Sequence, residues 1–191
     1  MRRSIILLAA VLLLAAPAAA QVDPHPDGIG LYFDEQASVN CIDMGTGIVT
    51  IHLVLTNATA TSGVAAWECR VDYPANLISA GTSLAGNCIN VASEPDYAVG
   101  YVQPRPWAAI NVLADLVFFV SDTNPAELFL RPISHPSVPG QMVYVAPDDI
   151  GTKVPMIWST GGPDVPVATI NGGCAVPAEQ DTWGGVKGLY R

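Results

Sequence analysis

The ten residues VAAWECRVDY, Val64 to Tyr73, alternate so regularly that only an extended chain gathers their apolar members on one side. Ala65, Trp67, Cys69, Val71 and Tyr73 fall on one face, and Glu68, Arg70 and Asp72 on the other, turned to solvent. GIVTIHLVLT, Gly47 to Thr56, repeats the pattern with Val49, Ile51, Leu53 and Leu55 opposite Thr50, His52 and Thr56. VLADLVFFV, Val112 to Val120, is apolar on both faces apart from Asp115, and its Val and Phe density predicts a central strand covered on two sides. Shorter strands are expected over 29–33, 77–78, 89–92, 98–102, 127–131, 142–145, 154–158 and 167–170. DYPAN, SEPD, QPRPW, SDTNPAE, HPSVPG, APDDIG and STGGPDVP stand between them as turns. Eight to ten short strands with no amphipathic helix in the body predict an all-β fold, an antiparallel β-sandwich.

Half of the chain is apolar, but the first twenty residues inflate that share. Arg2 and Arg3 precede an apolar run from Ile5 to Ala16, followed by Pro17 and three alanines. A basic start, an apolar middle and an A-x-A site are the parts of a secretory signal, with cleavage expected between Ala20 and Gln21. The run is shorter than the roughly twenty apolar residues a spanning helix needs. The expected organisation is a signal peptide over 1–20, a sandwich domain over 21–176, and a polar linker and tail over 177–191. The expected location is secreted: extracellular, periplasmic or at the cell surface, with no membrane insertion after cleavage. Beyond position 20 stand seventeen acidic and six basic residues, a net charge of −11, which repels nucleic acid and anionic lipid.

Cys41, Cys69, Cys88 and Cys174 are an even number in an oxidising compartment, which predicts two disulfides. Three pairings exist; the preferred one joins Cys41 to Cys69 and Cys88 to Cys174. No C-x-x-C pair occurs and the histidines are scattered, so no metal site and no cofactor is expected.

The last residues differ from the body. After the polar Pro177 to Asp181 comes TWGGVKGLYR, where Asp181 or Thr182 can cap a short helix carrying Trp183, Val186, Leu189 and Tyr190. Its glycines make that helix marginal alone, so the tail is expected either to dock on the sandwich or to meet a partner. Trp183, Leu189 and Tyr190 are the candidate contact residues.

DGIGLYFDE (Asp27 to Glu35), SGVAAWEC (Ser62 to Cys69), PVATINGGC (Pro166 to Cys174) and the terminal TWGGVKGLYR resemble a family of secreted bacterial proteins without an assigned activity. That family joins a signal peptide and one sandwich domain to a T-W-G-x-x-K-x-x-Y-R tail. SGVAAWECRVDYPANL is also similar to the strand that opens cohesin-like and related immunoglobulin-like sandwiches, where an alternating strand leads into a Y-x-P turn. The resemblance implies an immunoglobulin-like or cohesin-like fold; cohesins bind dockerin modules, and this chain shows no dockerin.

No catalytic motif stands out. Glu68 and Asp72 share a strand face but lie roughly 13 Å apart, beyond the approximate 5 to 9.5 Å of a glycosidase pair. His25, His52 and His135 lie in no metalloprotease motif and beside no nucleophile elbow. Asp23-x-His25-x-Asp27-Gly28 with Asp34 echoes a calcium loop, yet Pro24 and Pro26 and the missing helix reject it. Asp148, Asp149 and Asp164 sit in oxygen-rich loops that are either calcium sites or plain acidic turns. Trp107, in QPRPW, is the aromatic expected to be exposed, with Tyr97 and Tyr101 near it in sequence, and together they are the candidate sugar-stacking residues. The function expected is that of a non-enzymatic secreted protein in extracellular binding or cell-surface assembly, with a protein or glycan partner. A carbohydrate-binding module and an extracellular hydrolase are the alternatives.

Overall fold

The computed structural model describes residues 25–174. The expected signal peptide, the tail over 177–191 and its helix lie outside the described residues, and with them Trp183, Leu189 and Tyr190. Within 25–174 the chain forms strands and turns only. In chain order the strands are β1 (Gly28–Tyr32), β2 (Cys41–Ile42), β3 (Gly47–Thr56), β4 (Val64–Asp72), β5 (Leu77–Leu84), β6 (Cys88–Asn90) and β7 (Asp96–Arg105). They continue as β8 (Ile110–Val120), β9 (Ala126–Arg131), β10 (Val143–Ala146), β11 (Asp149–Pro155), β12 (Ile157–Trp158) and β13 (Ala168–Ile170).

Two sheets pack face to face, as the alternation requires. The first runs β12-β1-β3-β8-β5. In the second, β4 is the hub: β7 pairs along one edge, with β6 beyond it, while β10 and β9 share the other edge. β11 extends β10, and β13 then β2 extend β9. Pairing is antiparallel except where β12 lies parallel to β1 and β2 parallel to β13, both at sheet margins. The core gathers Ile29, Leu31, Ile51, Leu53 and Leu55 from the first sheet against Trp67, Val71, Leu128 and Leu130 from the second.

The period-two reading holds best on β3 and β4, where Val49, Ile51, Leu53, Leu55, Trp67, Cys69 and Val71 are buried as expected, whereas Ala65 and Tyr73 are half-buried, Val64 is buried beside a register shift, and Thr56, expected outside, is buried. Four further details differ. β8 is central within its sheet but covered on one face only: Leu116, Phe118 and Val120 point into the core while Phe119 is exposed. The reason is tertiary, because the loop after β1 covers only one end of the outer surface, where Tyr32, Ala37 and Val54 form a small cluster with Ile110 and Val112. Glu68 does not face solvent; it is 7% exposed beneath the loop between β9 and β10. APDDIG is a tight hairpin connection whose last three residues already belong to β11. The segment 154–158 breaks at the buried Met156 into the end of β11 and β12.

The cysteine pairing is also corrected. Cys41 bonds Cys174, with Sγ–Sγ 2.06 Å and Cα–Cα 5.5 Å, and Cys69 and Cys88 are free thiols. β2 lies beside β13, with Cys41 opposite Thr169, and the Asn171 to Gly173 turn brings Cys174 back to it. Cys69 lies opposite Tyr97 and Cys88 opposite Tyr101, on the two sides of β7. Four strand residues part those positions by about 13 Å, nearly twice the Cα separation of about 7 Å at which bridging fails. Thiol titration of the folded protein with an aromatic disulfide reagent is expected to consume Cys88 alone, over minutes to hours. Cys69, whose thiol burial pushes up in pKa, should react only after unfolding. A total of no reactive thiols in denaturant would show a second disulfide and refute this assignment.

Candidate functional site

The outer surface of the second sheet is grooved, and the groove follows from residue size. β4 turns Trp67 and Cys69 inward, so Ala66 and Glu68 face out; their partners on β7 are Gly100 and Ala98. A floor of Ala66, Ala98 and Gly100 is therefore low, while the flanking strands carry branched side chains. One row across the sheet reads Ile89, Gly100, Ala66, Val145, Lys153, and the next reads Val91, Ala98, Glu68, Val143. Ile89 and Val91 stand exposed on one bank; on the other, Val145 is half-buried and Val143 is buried. The open groove has a volume of about 370 Å³. The banks on β6 and β10 are three strand spacings apart, about 14 Å, and the groove runs along β4 and β7.

One end is closed by the loop between β9 and β10. Ser137 donates to Glu68 through its backbone N–H (2.7 Å to Oε1) and its hydroxyl (2.6 Å to Oε2). Ser134 fastens the same loop to Asp96, donating from N–H (3.1 Å) and Oγ (2.6 Å) to Oδ2. Arg70 reaches Asp72 (2.5 Å) and Asp96 (3.3 Å), and Arg131 reaches the other oxygen of Asp72 (3.1 Å). Burial works against the Asp96 carboxylate, but the Ser134 hydrogen bonds and Arg70 outweigh it and hold its pKa below the ordinary value. The row Glu68, Arg70, Asp72 is thus a clamp for the loop that ends the groove.

The three aromatics proposed from sequence are not one platform. Tyr97 is 4% exposed, stacked on Trp67 at 6.1 Å with its hydroxyl 3.0 Å from Thr82. Tyr101 is half-buried and accepts from Trp67 Nε1 at 3.0 Å. Both rings pack against the core beneath the groove floor. Trp107 is 49% exposed, its indole N–H donating to Ala58 O at 2.9 Å, in the connection between β7 and β8.

The acidic positions are engaged within the chain. Asp27 Oδ1 accepts from Thr59 N–H (2.7 Å) and Tyr144 OH (2.6 Å), and Asp34 accepts from the N–H groups of Ser38 and Val39. Asp148 accepts from the Ser62 hydroxyl, Asp149 from Thr152 N–H, and Asp164 faces Arg131. Among the described residues no three His, Cys, Asp or Glu side chains are grouped to hold a metal, and no helix is long and apolar enough to cross a membrane. His52 and Asp115 form a 2.8 Å pair on the outer face of the first sheet. Sequence reasoning did not find the groove. Its signal was the run of small residues Ala66, Ala98 and Gly100 at outward positions, which gains meaning only when β4 and β7 are known to be neighbours.

No family model matches this chain, and no curated protein matches it. Among solved structures it is similar to cohesin domains. The sixth cohesin of Acetivibrio cellulolyticus scaffoldin B, solved in complex with a dockerin, is 16% identical with a TM-score of 0.49, covering 75% of this chain and 98% of that one. A non-cellulosomal cohesin from the archaeon Archaeoglobus fulgidus is 15% identical with a TM-score of 0.47, over 76% and 88%. A type II cohesin of Acetivibrio cellulolyticus is 12% identical with a TM-score of 0.49, over 77% and 96%.

Proposed function

We propose that this protein is a secreted, non-enzymatic binding module whose grooved sheet receives an apolar α-helical segment of a protein partner. The observation that carries the reading is the groove itself: a floor of Ala and Gly between banks of Ile and Val. An α-helix with its side chains is about 10 to 12 Å across, and the banks stand about 14 Å apart at the backbone. A helix laid along β4 and β7 would set its apolar face on the Ala66 and Gly100 floor and cover Ile89 and Val91, exposed branched side chains of the kind that mark interaction surfaces. Lys153 on the rim favours an acidic residue at the helix edge.

Gly100 provides the test. A Cβ built there meets nothing within 4 Å, and its φ is not in the left-handed region, so a side chain is accommodated without strain. Gly100→Arg should therefore keep the fold and fill the groove. Immobilised parent protein is expected to retain a protein from the extracellular fraction of its source culture, and the variant to lose at least 90% of that retention. Equal retention by both, or retention of polysaccharide instead of protein, would defeat the proposal.

A further inference from the structure

The outer face of the first sheet carries a second apolar feature, distinct from the groove. Ile48 on β3, Phe119 on β8 and Ile78 on β5 are direct cross-strand neighbours on three adjacent strands. They are 72%, 43% and 53% exposed. Cross-strand side chains stand about 5 Å apart, so the three form one continuous band at a single end of the sheet. The opposite end of that face is sealed by the Tyr32, Ala37 and Val54 cluster.

We infer that this band is the docking site of the chain's own segment 182–191, TWGGVKGLYR. The described chain leaves the sandwich at the same end as the band. Asn171 Oδ1 accepts from Met44 and Gly45 N–H, its Nδ2 donates to Gly45 O, and Gly173 N–H donates to Asp43, all in the connection between β2 and β3. Two residues after Gly45, β3 begins at Gly47, and Ile48 is its second residue. Asn171 Nδ2 also lies 3.5 Å from the Asp122 carbonyl, three residues past Phe119. From Cys174 to Trp183 is nine residues, about 30 Å when extended, enough to turn round the end of the sandwich.

Charge selects between the two apolar faces. Residues 25–174 carry fourteen carboxylates and four Lys or Arg, whereas 182–191 carries Lys187 and Arg191 and no acid. None of the five strands of the first sheet contains a Lys or Arg, and Asp115 lies on its outer face. The groove on the second sheet instead carries Lys153 on its rim, and its one carboxylate, Glu68, is 7% exposed with both oxygens bonded by Ser137. Tethering raises the local concentration of the segment at the band to the millimolar range, so a modest apolar contact by Trp183, Val186, Leu189 and Tyr190 suffices.

Limited trypsin digestion of the full chain, following release of residues 188–191 by mass, tests this. The Lys187–Gly188 bond is expected to be cut at least ten-fold more slowly than in a free peptide spanning 175–191. Phe119→Asp and, separately, Ile48→Asp should each restore the peptide's rate. Both sites are exposed, and a thermal unfolding midpoint near the parent's confirms that each variant is folded. Gly100→Arg, which fills the groove, should leave the protection unchanged, so this result and the partner reading fail independently. Cleavage of the parent at the peptide's rate overturns the inference, as does protection that survives both Asp variants. Protection that grows with protein concentration overturns it too, because the segment would then dock on a second copy.

Discussion

Replacing Cys41 and Cys174 together by Ser is expected to lower stability by about 3 to 5 kcal/mol. The bond joins residues 133 apart, so its absence frees almost the whole described domain in the unfolded state. For a loop of that length the chain-entropy model gives about 5 kcal/mol, a large part of the roughly 5 to 15 kcal/mol that holds a typical domain. The native side has little to offset it: β2 is two residues long and meets β13 at two register positions. Urea titration of the double variant should show the loss, with the thermal midpoint down by about 10 to 20 °C. Reduction of the parent should reproduce it. A change under 1 kcal/mol in both would mean that the Asn171 hydrogen bonds and the β2–β13 pairing close that end unaided.

Trp67→Ala is the second change with a large expected effect, about 3 to 5 kcal/mol. Trp67 is the largest fully buried side chain, stacked on Tyr97 and bonded through Nε1 to Tyr101. It lies on the inner side of β4, directly under the groove, between the outward Ala66 and Glu68. Truncation leaves a cavity beneath the floor and strips Tyr101 OH of its donor, so the groove should lose its shape along with stability. Equilibrium urea unfolding with an unchanged slope checks the first effect. Loss of partner retention at temperatures where the variant is still folded checks the second. A cost below about 1.5 kcal/mol would show that the floor relaxes to fill the space, and Trp67 would then not support the groove.

These residues show how far a chain of this kind can be read before it is folded. Trp67, Ile51 and Leu53 are assigned to the core by alternation alone, because inward and outward positions differ by one residue and the local sequence carries that difference. Glu68 is misjudged by the same rule. Its neighbours Arg70 and Asp72 mark a polar face correctly, but a loop 69 residues away supplies Ser137 and buries it. Tyr97 and Tyr101 are near Trp107 in sequence and point elsewhere, since β7 turns both rings toward Trp67 before the chain reaches the connection that exposes Trp107. Phe119 is read as covered because an apolar strand face does not reveal whether anything lies above it.

The sequence by itself determined the strand period, the turns between strands, the all-β class and the acidic surface, since each depends on residues within a few positions of one another or on composition. The tertiary structure alone decided which cysteines meet, which strand faces stay open, and that Ala66, Ala98 and Gly100 form one floor. Those outcomes rest on pairings between residues tens of positions apart, and closing such long loops is a collective result of burying the core, which no local pattern encodes.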